Sequence, residues 1–131
     1  MLDFGKKFAK NLTPPCVIEL VGDVGAGKTT FTRGLAAGLG IAEAVTSPSF
    51  TISKRYHFPL MSGNDGGLVH YDFYRLPDPG IMQDEIAETI KLPHTIVIVE
   101  WAESVSNILP ADKILIRIEL EEDGSRTISF S

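Results

Sequence analysis

The residues Gly22-Asp23-Val24-Gly25-Ala26-Gly27-Lys28-Thr29 match the spacing G-x-x-x-x-G-K-[ST] in full. Those residue types suit one task, holding a chain of phosphates. Glycines let the backbone turn through conformations closed to other residues and leave no side chain between amide and phosphate. The amides from about Val24 to Thr29 then point inward as an anion nest, and the N-terminus of the following helix adds partial positive charge. Lys28 supplies a mobile cation for β- and γ-phosphates, and the Thr29 hydroxyl is placed to ligate Mg²⁺. The expected nucleotide-binding set is Asp23, Val24, Gly25, Ala26, Gly27, Lys28 and Thr29. Thr30 is either a further phosphate contact or a second polar residue in the first helical turn.

A site for a magnesium nucleotide also needs a carboxylate at the end of a neighbouring strand. Glu100 closes the apolar run Ile96-Val97-Ile98-Val99, so it should emerge at the carboxyl edge of a buried strand, where parallel sheets bind ligands. Asp72 stands among aromatics in Leu68 to Tyr74, where a buried acid is otherwise costly. One carboxylate should hold the metal and the other orient the attacking water. The more apolar strand of Glu100 favours it, with Thr29, on the metal, and the residues expected to carry the chemistry are Asp72, Glu100 and Lys28. The competing readings are a water-facing Glu100 and an Asp72 that is paired with Arg75 or sits at an exposed strand position.

Other residues carry weaker signals. Thr46, Ser47 and Ser49 crowd a Pro-containing loop, either a segment that senses the γ-phosphate or an ordinary polar turn. Arg33 and Arg75 could reach phosphate or serve in surface and ion-pair roles. His57, His70 and His94 lack metal-ligand spacing and read as structural. Cys16 reads as a small buried hydrophobe. Trp101 either walls the site or packs in the core.

The elements that must position these groups follow from periodicity. Phe4, Phe8 and Leu12 give an amphipathic helix that Pro14 and Pro15 should end. Cys16 to Val21 reads as a buried parallel strand, and a helix from Lys28 to Leu39 stops at Gly40. Phe50 to Ser53 and Leu68 to Tyr74 read as strands, with a loop from Pro59 to Gly67 between them, and His57 too is expected in a loop. A helix through Ile81, Ile86 and Ile90 follows Pro77 and Pro79. Thr95 to Glu100 is a buried strand, and a short helix spans Glu103 to Leu109. Ile114 to Ile118, a turn at Asp123-Gly124, and Thr127 to Phe130 form a terminal hairpin. The expected fold is α/β, a three-layer sandwich like that of P-loop NTPases, with a mixed, mainly parallel sheet and antiparallel edges.

Composition narrows the classes. The chain has 131 residues, suited to one domain over 1–131, and a net charge of -5, which argues against a protein whose main partner is a nucleic-acid backbone. One cysteine excludes a disulfide framework within one chain. No apolar run approaches the roughly 20 residues of a membrane span, and no long apolar stretch follows the N-terminal lysines. A cytoplasmic domain without membrane contact is expected.

The order and spacing of several segments resemble the TsaE (YjeE) family of small bacterial ATPases over nearly the whole chain. These are Gly22 to Phe31 with Arg33-Gly34, Ser47-Pro48-Ser49-Phe50-Thr51, His70-Tyr71-Asp72-Phe73-Tyr74-Arg75-Leu76, and Glu100-Trp101-Ala102-Glu103. The resemblance implies ATP and Mg²⁺ as ligands and a role in making the threonylcarbamoyladenosine (t6A) modification of tRNA. It implies TsaD-like and TsaB-like protein partners, tRNA met only through the complex, and hydrolysis that resets the complex between rounds. It also implies that Glu100 is the magnesium-site glutamate, Asp72 the second essential carboxylate, and Thr46 to Thr51 a switch segment. Members usually carry a short strand and polar segment before the residues matching Leu2-Asp3-Phe4-Gly5, so a base pocket built differently is expected here. Ser49 replaces a frequent Thr and keeps the hydroxyl.

Two alternatives share the motifs. A nucleotide-gated assembly module would bind without much turnover. A small-molecule kinase would need a second substrate pocket and an Arg-bearing lid, which five dispersed arginines do not suggest.

Overall fold

Alternating Ile and Val along the central strands give each face of the sheet its own apolar surface. In a computed structural model, which describes residues 1–22, 27–46, 53–60, 62–74, 78 and 80–131, those faces are covered by different helices. The elements run α1 (Leu2–Ala9), β1 (Cys16–Val21), α2 (Lys28–Leu39), β2 (Ser53–Pro59), β3 (Asp65–Asp72), α3 (Met82–Ile90), β4 (Thr95–Glu100), β5 (Ile114–Leu120) and β6 (Arg126–Phe130). The six strands lie in the order β2-β3-β4-β1-β5-β6. The β3–β4, β4–β1 and β1–β5 pairs are parallel, and the two edge pairs are antiparallel. This is the mixed sheet expected from the sequence.

On one face Ile18, Leu20, Leu68, Ile96, Ile98, Ile116 and Ile118 pack with Phe31 and Leu35 of α2, against which α1 lays Phe4 and Phe8. On the other, Val17, Val69, Tyr71, Val97 and Val99 pack with Ile86 of α3 and with Ala102 and Val105. The period of two in strand side chains thus produces three layers. Helix α2 keeps the expected bounds and ends on Gly40 at φ 88°.

Helices α1 and α2 approach closely. A Cβ on Gly34 would stand 2.2 Å from the Leu2 carbonyl oxygen, and one on Gly5 would stand 2.5 Å from that of Phe31. Glycine is what lets the backbones touch and fixes α1 on the helix that carries Lys28.

Four boundaries differ from expectation. Helix α1 stops at Ala9, well before the prolines, because Asn11 and Leu12 donate to the carbonyls three residues back and tighten the last turn. The loop expected over Pro59 to Gly67 shrinks to residues 60–64, since β2 runs on to Pro59 and β3 begins at Asp65; His57 therefore lies in a strand, 3.2 Å from Asp65. Strand β3 ends at Asp72 rather than Tyr74. The helix expected over Glu103 to Leu109 is one 3-10 turn at Ala102–Val105, which follows a sharp left-handed turn at Trp101. Of the strand expected over Phe50 to Ser53, only Ser53 is among the described residues, and it opens β2. No described helix is long and apolar enough to cross a membrane.

Candidate functional site

Parallel pairing of β1 with β4 and of β4 with β3 brings three strand ends to one edge. Leu20 stands opposite Glu100, and Glu100 opposite Asp72. Gly22 follows β1 directly, and Gly27, at φ 107°, caps the N-terminus of α2. A Cβ at that φ would be strained, and it would sit 3.1 Å from Nε of Arg126, which β6 brings beside Gly27. The first turn of α2 is closed by the Phe31 N–H donating to the Gly27 carbonyl at 2.9 Å and by the Thr32 hydroxyl donating to that of Lys28 at 3.0 Å. Thr29 and Thr30 are half-buried in the same turn. Asp23, Val24, Gly25 and Ala26 lie outside the described residues, as do Ser47 to Ile52 and Arg75 to Pro77.

Lys28 and Glu100, both buried, meet at this edge. The ammonium stands 3.3 Å from Oε1 of Glu100 and 4.4 Å from the centre of the Trp101 ring. The other oxygen, Oε2, takes a 2.5 Å hydrogen bond from Nε2 of His70. Burial pushes the Glu100 carboxyl up, but the hydrogen bond from His70 and the electrostatic pull of His70 and of the Lys28 ammonium outweigh it and hold the group below the usual carboxylate range. A water-facing Glu100 does not describe this arrangement, and Trp101 both lines the cavity and packs against the core on the α3 face. Trp101 walls the site, half-buried, with Tyr74 packed against it at 4.8 Å between ring centres.

Asp72 is only half-buried and accepts the Tyr74 N–H at 2.9 Å. Burial raises its carboxyl, the Tyr74 bond opposes that rise, and the charge of Glu100 adds to it. The two carboxylates are therefore a held anion and a reluctant one, side by side. A hard divalent cation would relieve the second, and oxygen donors at Thr29, Glu100 and Asp72 suit Mg²⁺. Among the described residues, no cluster of three or more His, Cys, Asp or Glu could hold a metal unaided, so phosphate oxygens and water would have to complete such a shell. A cavity of about 340 Å³ opens beside Lys28 and Trp101 toward Arg117, Glu119 and Leu120.

The structure separates other candidates from this edge. Arg33 is turned away, its Nε donating to the Val45 carbonyl at 3.1 Å, so it anchors the chain after α2. Thr46 accepts from Lys54 at 3.0 Å and bonds Tyr56 through its backbone. Cys16 is half-buried rather than fully buried, and burial first, then the Asp112 charge, pushes its thiol up to about 11, which leaves no thiolate for chemistry at neutral pH. His70 was expected to be structural, yet it touches the site carboxylate. Sequence reasoning gave neither it nor Arg126 a role at the site, although His70 opens one of the segments that resemble the family.

Known proteins are similar to this chain over most of its length. A family model, "Threonylcarbamoyl adenosine biosynthesis protein TsaE", matches residues 1–128. The tRNA threonylcarbamoyladenosine biosynthesis protein TsaE of Bacillus subtilis is 41% identical over 126 residues, covering 95% of this chain and 72% of that protein. Its counterpart from Streptomyces coelicolor is 40% identical over 119 residues, covering 91% and 78%. The crystal structure of Bacillus subtilis YdiB superposes with a TM-score of 0.75 at 36% identity, over 98% of this chain and 76% of that one. The chain belongs to the TsaE family of threonylcarbamoyl adenosine biosynthesis proteins.

Proposed function

We propose that this protein binds ATP with Mg²⁺ at the edge formed by β1, β3 and β4 and hydrolyses it as a component of the t6A modification machinery. TsaD-like and TsaB-like proteins are its partners. They hold the tRNA, and ATP hydrolysis resets the complex between rounds. The observation that carries the reading is the Lys28 ammonium, at the first residue of α2, set against Glu100 at the end of β4.

Each residue has a task. Lys28 leaves Glu100 to neutralise the β- and γ-phosphates, and the amides at the start of α2 accept the same charge. Thr29 and Glu100 would hold Mg²⁺, which supplies charge neutralisation on the transferred phosphoryl group. Asp72, half-open to solvent and with a raised carboxyl, orients the attacking water. Water oxygen bonds to the γ-phosphorus, the bridging oxygen leaves with ADP, and the water's proton departs through Asp72 or the phosphate.

The test is phosphate release by the protein alone and with both partners. Hydrolysis should be partner-stimulated and lost in Lys28→Ala, Glu100→Ala and Asp72→Ala. Full stimulated hydrolysis in the two carboxylate variants would remove their assigned roles. Phosphorylation of a nucleoside panel by the isolated protein would favour a kinase, and many modification rounds supported by a binding-competent, hydrolysis-dead variant would favour an assembly module.

A further inference from the structure

His70 occupies the middle of β3, opposite Ile98, and is 1% exposed. An imidazole there gives up its hydration, so the structure must return a bond. It returns one. Nε2 meets Oε2 of Glu100, while Nδ1 is buried with no hydrogen-bond partner among the described residues. A proton on Nδ1 would be a buried, unsatisfied donor, whereas a bare Nδ1 is only an unused acceptor. The surroundings thus place the bonding proton on Nε2, from which it is donated to Glu100.

The consequence lies on the other oxygen. Glu100 ends its strand on a side chain with freely rotating bonds, and a carboxylate held at one oxygen loses that freedom. With Oε2 bound to His70, Oε1 is the oxygen left facing Lys28. We propose that His70 is a positioning residue, which fixes the Glu100 carboxylate so that Oε1 stays turned toward the edge where Lys28 meets it, and keeps that orientation when Lys28 moves to phosphate. The inference rests on the nucleotide-hydrolysing reading above and deepens it, since His70 itself touches no phosphate.

Three substitutions separate positioning from packing in the partner-stimulated complex. In His70→Gln the side-chain amide nitrogen can stand where Nε2 stood and still donate. In His70→Asn it is too short to reach, and His70→Leu fills the space with no donor. The expected result is a kcat lowered about 10- to 100-fold in the Asn and Leu variants and within about threefold of the parent in Gln, with the KM for ATP little changed. Binding of ADP without Mg²⁺ should be the same in all. Full kcat in Asn or Leu overturns the inference, and so does a Gln variant that falls as far as Leu. If Leu does not fold, the Gln and Asn pair decides. If the parent complex itself neither binds nor hydrolyses ATP, the underlying reading fails first; hydrolysis by the parent with all three variants unimpaired sinks only the role of His70.

Discussion

The Nζ of Lys28 stands 3.3 Å from Oε1 of Glu100, with the two side chains only 8% and 6% exposed. This contact joins the N-terminus of α2 to the carboxyl end of β4, two elements that no backbone bond connects. Each charge is buried on the strength of the other, so removing one leaves an uncompensated ion. In a double-mutant cycle on nucleotide-free protein, Lys28→Met and Glu100→Gln should couple. The summed single costs should exceed that of the double by about 1–2 kcal/mol, measured by urea unfolding. Additivity within about 0.5 kcal/mol would mean that the pair is not a contact in solution.

Asp72 should behave oppositely to Glu100. Burial and the Glu100 charge raise its folded-state carboxyl above the unfolded value, against the Tyr74 bond. Its contribution to stability is therefore fully present below the unfolded pKa of about 3.9 and lost as pH rises through the folded value. At pH 7 the ionised group opposes folding. Asp72→Asn keeps an acceptor for the Tyr74 N–H and should stabilise the protein at neutral pH, by less than about 1 kcal/mol because solvent screens a half-buried group. The gain should vanish in acid. Glu100, held low, contributes above the unfolded carboxylate range and loses that contribution as pH falls through its folded value. Urea titrations across pH check both signs, and a destabilised Asp72→Asn at pH 7 would contradict the first.

These two acids show how far the sequence can be read. Local chemistry marked Lys28, Thr29, Glu100 and Asp72, and local periodicity marked β1, α2 and β4 with their observed bounds. What it could not mark depends on register. His70 and Glu100 are 30 residues apart and meet because β3 lies parallel to β4. Gly66 and Gly67 look like loop residues, yet they sit inside β3, where a Cβ on Gly66 would stand 2.7 Å from the Phe58 ring across the strand pair. Arg126, 99 residues further along the chain, reaches Gly27 only because the terminal hairpin folds back beside β1. The polar segment from Ser47 to Thr51 lies outside the described residues.

Gly34→Ala should destabilise, although alanine is the better helix former by about 1 kcal/mol. The new Cβ would meet a backbone oxygen at 2.2 Å, and backbone cannot swing aside as a side-chain tip can. Helix α1 must shift, so the net cost should be about 2–3 kcal/mol, within the range for overpacked interiors. Faster amide exchange confined first to residues 2–9 would identify α1 as what moves. Unchanged or increased stability would show that the helices lie further apart than this.

Trp101 should report the release of Lys28. It is the chain's one tryptophan, held at φ 55° and ψ 53°, a conformation rare for a bulky side chain. The ammonium lies 4.4 Å from its ring centre, where a cation interacts with the indole face. If nucleotide draws Lys28 toward phosphate, the ring loses that charge and its emission should shift. Lys28→Met should show the shifted emission from the start and respond to ATP hardly at all. Tyr74, packed on the ring at 4.8 Å, should hold the indole in place meanwhile, so the change reports the charge and not a swing of the side chain. A parent protein saturated with ATP, as judged by calorimetry, whose emission stays unmoved would mean that Lys28 remains on Trp101, and that phosphate is neutralised by some other group.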